Sequence, residues 1–166
     1  MVAEERKRLE ATSWLAVVRA YQACSRRYAQ MLSHFDLTVA QFDALSAIHR
    51  LSPDATPKAI AREMLVTRGN ITGLIQRLCD RSLVSTIRHE SDGRSFRCEM
   101  TARGSALFAE AGAAAARFVT GQLAPFGDRE LRSTLALMTR MEAHVHNIDP
   151  AKIAREPQTE SLEDQQ

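Results

Sequence analysis

Apolar positions recur along this chain with two different periods, and the switch between them divides it. From about Ala11 to Phe35, the residues Trp14, Tyr21, Tyr28 and Phe35 follow at intervals of seven, with Val17, Cys24 and Met31 three residues after the first three. That a/d spacing predicts a long helix with a narrow, bulky seam. Large aromatics between polar flanks need burial against other long helices, from the same chain or a second copy. In "LTVAQFDALSAIHRL", Thr38 with Gln41 three residues on is a capping-box signature, and Phe42, Leu45 and Ile48 form the stripe behind it. "SPDATP" breaks the chain. Thr56 then caps a short helix with Pro57 at its first position, where the missing N–H costs nothing. In "VTRGNITGLIQRL", Ile71, Leu74, Ile75 and Leu78 supply another apolar stripe. Two helices this short, separated by about three residues, read as a helix-turn-helix.

After Leu83 the period becomes two. "VSTIRH" and "SFRCEMT" flank "ESDGRS", and Phe96, Cys98 and Met100 alternate with Ser95, Arg97 and Glu99, the signature of a half-buried strand. Asp92-Gly93 is read as the hairpin tip. Thr101 caps an alanine-rich helix running to about Leu123, "APFGDRE" interrupts it, and Asp128 opens a last helix through Leu131, Leu135, Met138 and Val145. From Asp149 onward the chain is polar, and fraying or disorder is expected.

The fold class that follows is mainly α with a two-stranded β wing, a winged helix-turn-helix between long N- and C-terminal helices. The expected divisions are 1–35, a first arm helix; 36–101, the winged lobe; 102–148, the C-terminal arm helices; and 149–166, a polar tail. The arms carry more apolar seam than so small a lobe covers, so dimerisation through them is the simplest burial.

The second short helix poses a question of its own. Its outward face carries Gly69, Asn70, Thr72, Gly73, Gln76 and Arg77. Each glycine in a helix interior costs about 0.8–1.0 kcal/mol relative to alanine, and an exposed face is where strong helix formers are normally placed.

Charge sharpens the picture. The net charge of +2 on 166 residues says little, but residues 56–103 hold nine Lys/Arg against five Asp/Glu, a net of +4. The remainder holds 13 against 15, a net of −2. Three scattered cysteines, Cys24, Cys79 and Cys98, form no disulfide framework or metal knuckle. No run approaches the roughly 18 apolar residues of a membrane span, and "MVAEERKRLE" lacks the apolar centre of a signal peptide. A soluble cytoplasmic protein is expected. His144 and His146 lie about 200° apart around a helix, and His34 and His49 have no carboxylate or cysteine at ligand spacing, so neither metal nor cofactor is expected. No nucleophile–base pair, phosphate loop or carboxylate dyad points to an enzyme.

From Leu37 to Gly104 the chain resembles the multiple-antibiotic-resistance regulator (MarR) family of transcription factors, through "LTVAQFDAL", "IAREMLVTRGNITGLIQRL", "LV", "DGR" and "MTARG" in that order. The resemblance implies a homodimer on a near-palindromic double-stranded DNA operator. A recognition helix of about 67–81 would enter the major groove, and Arg94, at the tip of a wing of about 84–101, the minor groove. Thr67, Arg68, Gly69, Asn70, Thr72, Gln76, Arg77, Arg88, Asp92 and Arg94 are the implied DNA-binding residues. Glycines on the outward face would then let the helix backbone approach the duplex, with side chains meeting base edges or phosphates.

Two positions depart from the family pattern. Ser82 stands where glycine is usual at the left-handed helix exit. Thr86 stands where the first wing strand often has Arg, and Arg88 on the same face is the expected substitute. The resemblance further implies a repressor released by a small apolar or aromatic effector, with Trp14, Tyr21, Tyr28 and Phe42 lining its pocket or packing as an aromatic core. The alternatives are a winged-helix protein-interaction module without DNA binding, or a redox sensor through Cys24. The basic skew and the Asp92/Arg94 tip argue against the first, and Cys24 lies farther from the start of its helix than the sensing cysteine of the family's peroxide sensors.

Overall fold

The computed structural model describes residues 2–89 and 92–155, and the side chains of Val2, Arg68, Arg88, His89 and residues 92–95 lie outside the described residues. In chain order the elements are α1 (Val2–Ser33), α2 (Val39–Leu51), α3 (Pro57–Glu63), α4 (Arg68–Asp80), β1 (Val84–His89), β2 (Asp92–Met100), α5 (Ala102–Leu123), α6 (Asp128–Val145) and α7 (Pro150–Arg155). Helices α3 and α4 form the helix-turn-helix, and β1 and β2 pair antiparallel as its wing.

Local chemistry sets most of these boundaries. At the start of α2 the Thr38 hydroxyl accepts from the Gln41 amide at 3.2 Å, while Gln41 Oε1 accepts from the Thr38 amide at 2.9 Å. The Thr56 hydroxyl accepts from the Ala59 amide at 3.2 Å and Pro57 occupies the first turn of α3. At α5 the Gly104 amide donates to the Thr101 hydroxyl at 2.9 Å. Each cap satisfies a donor that the helix leaves unpaired, worth about 1 kcal/mol.

Residues 1–122 form one compact unit, with a core of Leu32, Leu45, Ile48, Ile60, Ile71 and Leu78. Helix α5 joins that core through buried Ala111 and Ala115. A bond absent from the sequence reading ties the wing in: the Cys98 amide donates to the Ala55 carbonyl at 2.8 Å, so the α2–α3 loop runs alongside β2. Residues 123–166 form a second unit, within which α6 carries no buried residue.

The structure corrects three expectations. Helix α1 stops at Ser33, because residues 34–37 turn back on its last carbonyls and Asp36 adopts a left-handed φ of 53°. Phe35 therefore lies beyond the helix rather than on its seam. Of that seam, Tyr28 and Met31 pack against the core, while Trp14 is 59 % and Tyr21 72 % exposed. Asp92 and Gly93 belong to β2, with Asp92 paired to His89 after a register irregularity, so they are not the hairpin tip. Finally, residues 150–155 are helical where a frayed tail was expected, because Asp149 Oδ1 accepts from the Ala151 amide at 2.9 Å and caps the turn. The rest of that tail, 156–166, lies outside the described residues.

Candidate nucleic-acid interface

Helix α4 presents two faces of opposite character. Ile71, Leu74, Ile75 and Leu78 are buried against the core, and Thr67, Gly69, Asn70, Thr72, Gln76 and Arg77 are exposed. A Cβ on Gly69 would meet nothing within 4 Å, and one on Gly73 only the flexible end of Arg77 at 3.6 Å. Packing within the chain therefore gives no reason for either glycine. Thr67 is the N-cap residue but its side chain makes no capping bond, which leaves amides at the start of α4 open. The Gln76 side-chain amide donates to Asp80 Oδ1 at 2.8 Å. Its carbonyl oxygen stays free to accept, and its N–H must exchange partners before it meets a base.

The far end of α4 is held much more tightly. Ser82 adopts the left-handed exit with φ 55°, without the glycine that conformation favours. The Ser82 amide donates to the Cys79 carbonyl at 2.7 Å and the Leu83 amide to the Leu78 carbonyl at 2.9 Å. The Thr101 hydroxyl donates to the Ser82 carbonyl at 2.8 Å, and the Thr101 amide to the Leu83 carbonyl at 3.1 Å. Gly104 completes the junction, since a Cβ there would lie 1.9 Å from the Leu83 carbonyl oxygen. "MTARG" is thus a clasp that docks the start of α5 on the end of α4. One more bond reaches the same place: Arg81 Nη1 donates to the Asp36 carbonyl at 2.6 Å.

In the wing, Val84 pairs with Met100, Thr86 with Cys98 and Arg88 with Phe96. Arg97 Nε lies 3.1 Å from Glu99 Oε1, a coulombic pair whose angle does not make a hydrogen bond. At half-exposed side chains such a pair contributes little to stability. The backbones of Arg68, Arg88, Asp92 and Arg94 are placed in α4, β1 and β2, but their side chains lie outside the described residues, so whether Asp92 orients Arg94 is not part of this geometry.

Of the four aromatics expected around an effector, the structure brings two together. Tyr28 meets Phe42 edge-on at 6.3 Å and Phe118 at 5.6 Å, and Phe42 meets Phe108 at 5.5 Å. Trp14 and Tyr21 are not part of that cluster. Burial raises the Tyr28 hydroxyl pKa, and Asp43 adds to the effect. Beside the cluster, α1 and α5 form an open, mostly apolar depression of about 500 Å³ lined by Ala23, Cys24, Arg27, Arg117, Phe118 and Gly121. Sequence reasoning missed Phe118, Arg117 and Arg27, because only the pairing of two distant helices assembles them. Burial, and then neighbouring Cys79, push the Cys98 thiol up to about 12, so it stays protonated and inert at neutral pH. Among the described residues, no helix is long and apolar enough to cross a membrane, and no group of three or more His, Cys, Asp or Glu is placed to hold a metal ion.

A helix pair, an antiparallel ribbon and flanking long helices define a winged helix-turn-helix protein. A family model described as the MarR family matches residues 35–95, a little over a third of the chain. The chain is 35 % identical over 65 residues to HTH-type transcriptional regulators of Bacillus cereus and Bacillus anthracis, covering 39 % of this chain and 44 % of theirs. The chain thus aligns with less than half the length of these curated relatives. Among solved structures, the organohalide-sensing regulator RdhR-CbdbA1625 in its 2,4-dichlorophenol-bound form is similar with TM-score 0.72 and 17 % identity, covering 82 % of this chain and 80 % of that one. The S. aureus MepR–DNA complex gives 0.71 at 20 % identity over 80 % and 96 % of the two chains. A mutant MarR from E. coli complexed with operator DNA gives 0.68 at 20 % identity over 76 % and 90 %. At these identities the likeness concerns the fold.

Proposed function

We propose that the protein is a homodimeric, sequence-specific DNA-binding transcriptional regulator, a repressor released by a small apolar or aromatic ligand. The observation that carries this reading is the outward face of α4, where two glycines meet no side chain or backbone that would exclude a Cβ. Hydrogen-bonding side chains surround them, in the most basic third of the chain. A surface that gives up helix propensity without any internal gain is shaped for something that must approach it closely, and a duplex groove is such a partner. That MepR and MarR, which share the fold, were crystallised with DNA supports the choice. The open apolar depression between α1 and α5 is the place proposed for the effector, and the dichlorophenol complex of a similar fold supports an aromatic one.

Selection from a randomised duplex library by the purified protein tests the DNA reading. It should recover a near-palindrome with half-sites about 10 base pairs apart, bound with a steep salt dependence. Gln76→Ala should cost about 1–3 kcal/mol at one base position and relax specificity there. Arg94→Ala should weaken binding to nearly all sequences and flatten the salt slope. A folded protein retained by neither heparin nor the library at low salt would instead be an interaction module.

A further inference from the structure

We propose that Arg81 is a positioning residue that sets the aim of α4 by fastening its C-terminal end to the end of α1. The proposal rests on the reading of α4 as the DNA-contacting helix. The apolar stripe of α4 fixes how deeply the helix sits in the lobe, but a stripe of aliphatic side chains is non-directional and tolerates small tilts. Direction comes from bonds at the ends. At the N-terminal end the Thr67 side chain makes no capping bond. At the C-terminal end the bonds converge: Arg81 to the Asp36 carbonyl at 2.6 Å, Thr101 to the Ser82 carbonyl at 2.8 Å, and the close approach of Gly104 to Leu83. The N-terminal end follows α3 through the Val66 amide–Ala61 carbonyl bond at 3.0 Å, whereas the C-terminal end is fastened to α1 and α5 and sets the aim.

The two clasps differ in what they join. Thr101 and Gly104 connect the end of α4 to the start of α5, with only the wing between them in the chain. Arg81 reaches across 45 residues to the turn that ends the 32-residue α1. That turn is itself fixed, with Asp36 left-handed at φ 53° and the Leu37 amide donating to the Leu32 carbonyl at 3.2 Å. A charged guanidinium on a carbonyl is a strong, directional bond. The 13 residues of α4 span roughly 20 Å, so a tilt of about 5° about the held end moves the other end by about 1.7 Å. That displacement is enough to break base hydrogen bonds, whose useful range is only about 0.5 Å wide. Any movement of the α1 arm pulls on the same bond, which makes Arg81 the link between arm position and groove register.

The test uses the full-length protein and duplexes carrying two copies of the half-site that the wild type selects, set at spacings from about 9 to 12 base pairs. Wild-type binding should peak at one spacing and fall at least fivefold two base pairs away. Arg81→Met keeps the apolar stem and removes the donors. It should bind about tenfold more weakly at the best spacing, lose most of the spacing preference and keep the wild-type salt slope. Arg81→Lys should recover part of the preference, and Asp36→Asn should match the wild type, because the bond uses the backbone carbonyl. A wild-type spacing profile in Arg81→Met overturns the proposal. So does a salt slope lowered by about one, which would make Arg81 a phosphate contact. Failure of both Arg81 variants to fold overturns it too, as does a wild type indifferent to spacing. A wild type that selects no DNA overturns the reading of α4 itself.

Discussion

In the winged lobe, Leu45, Ile48, Ile60, Ile71 and Leu78 are at most 1 % exposed, whereas Trp14 and Tyr21 of α1 and Leu135 of α6 are 59 %, 72 % and 69 % exposed. Both sets are apolar stripes at helical spacing, so periodicity does not separate them. What separates them is the supply of a facing surface. In the lobe, three short helices and a ribbon close on one another, and each stripe finds its partner within about 70 residues of chain. In the arms, Trp14, Tyr21 and Leu135 stay exposed among the described residues. Burying each such side chain is worth about 1.5–3 kcal/mol, and a second copy of the chain is the surface proposed to cover them.

That contrast is sharpened most severely by removing an arm. Deleting residues 1–35 takes out fully buried Leu32 and the Tyr28 contacts with Phe42 and Phe118, and so removes α1 from both the lobe core and α5. Loss of folding or aggregation is expected, judged by circular dichroism and light scattering. The intact chain should scatter as a dimer at micromolar concentration. A well-behaved monomer there would mean that the exposed stripes are tolerated as surface, and the contrast would fail.

Next in size is a change inside the lobe. Gly104→Ala places a Cβ where the Leu83 carbonyl stands, and should cost about 3 kcal/mol of stability by chemical denaturation, at the upper end of overpacking effects. A cost within experimental error would show that α5 shifts freely on α4, and the clasp would be no clasp. Smaller again, Ser82→Gly relieves a left-handed L-residue and should stabilise by about 0.5–1 kcal/mol. If stability falls instead, the serine makes an interaction that outweighs the strain.

How much of this was legible in the sequence follows from how far apart the interacting residues lie. The caps at Thr38, Thr56 and Thr101 act over three residues, and their geometry is as the spacing indicates. The period-two run in β2 and the apolar stripe of α4 are equally local. The long-range ties were not legible: Arg81 to Asp36, Cys98 to Ala55, Gly104 against Leu83. Nothing in a one-dimensional pattern says which carbonyl an arginine will reach. The Asp92-Gly93 signal misled for a related reason. A turn dipeptide marks positions able to turn, but strand pairing sets where the ribbon actually reverses, and it carries Asp92 into β2. The aromatic heptads were legible as a helical seam, but not that Phe35 falls beyond the helix end, which backbone bonds of the turn at 34–37 decide.

The most direct test of the central claim, that the outward face of α4 is shaped by DNA, is the pair Gly69→Ala and Gly73→Ala measured for stability and for DNA affinity together. Neither added methyl meets more than an ordinary contact in the free chain. Helix propensity therefore predicts a gain in stability for each, up to about 0.8–1.0 kcal/mol. The same methyls should stand between the helix backbone and the duplex, so affinity for the selected site should fall at least tenfold while the dimer stays intact. Opposite signs in the two measurements are the predicted result. A gain in stability with unchanged DNA affinity would contradict it, because the glycines would then serve nothing that α4 touches.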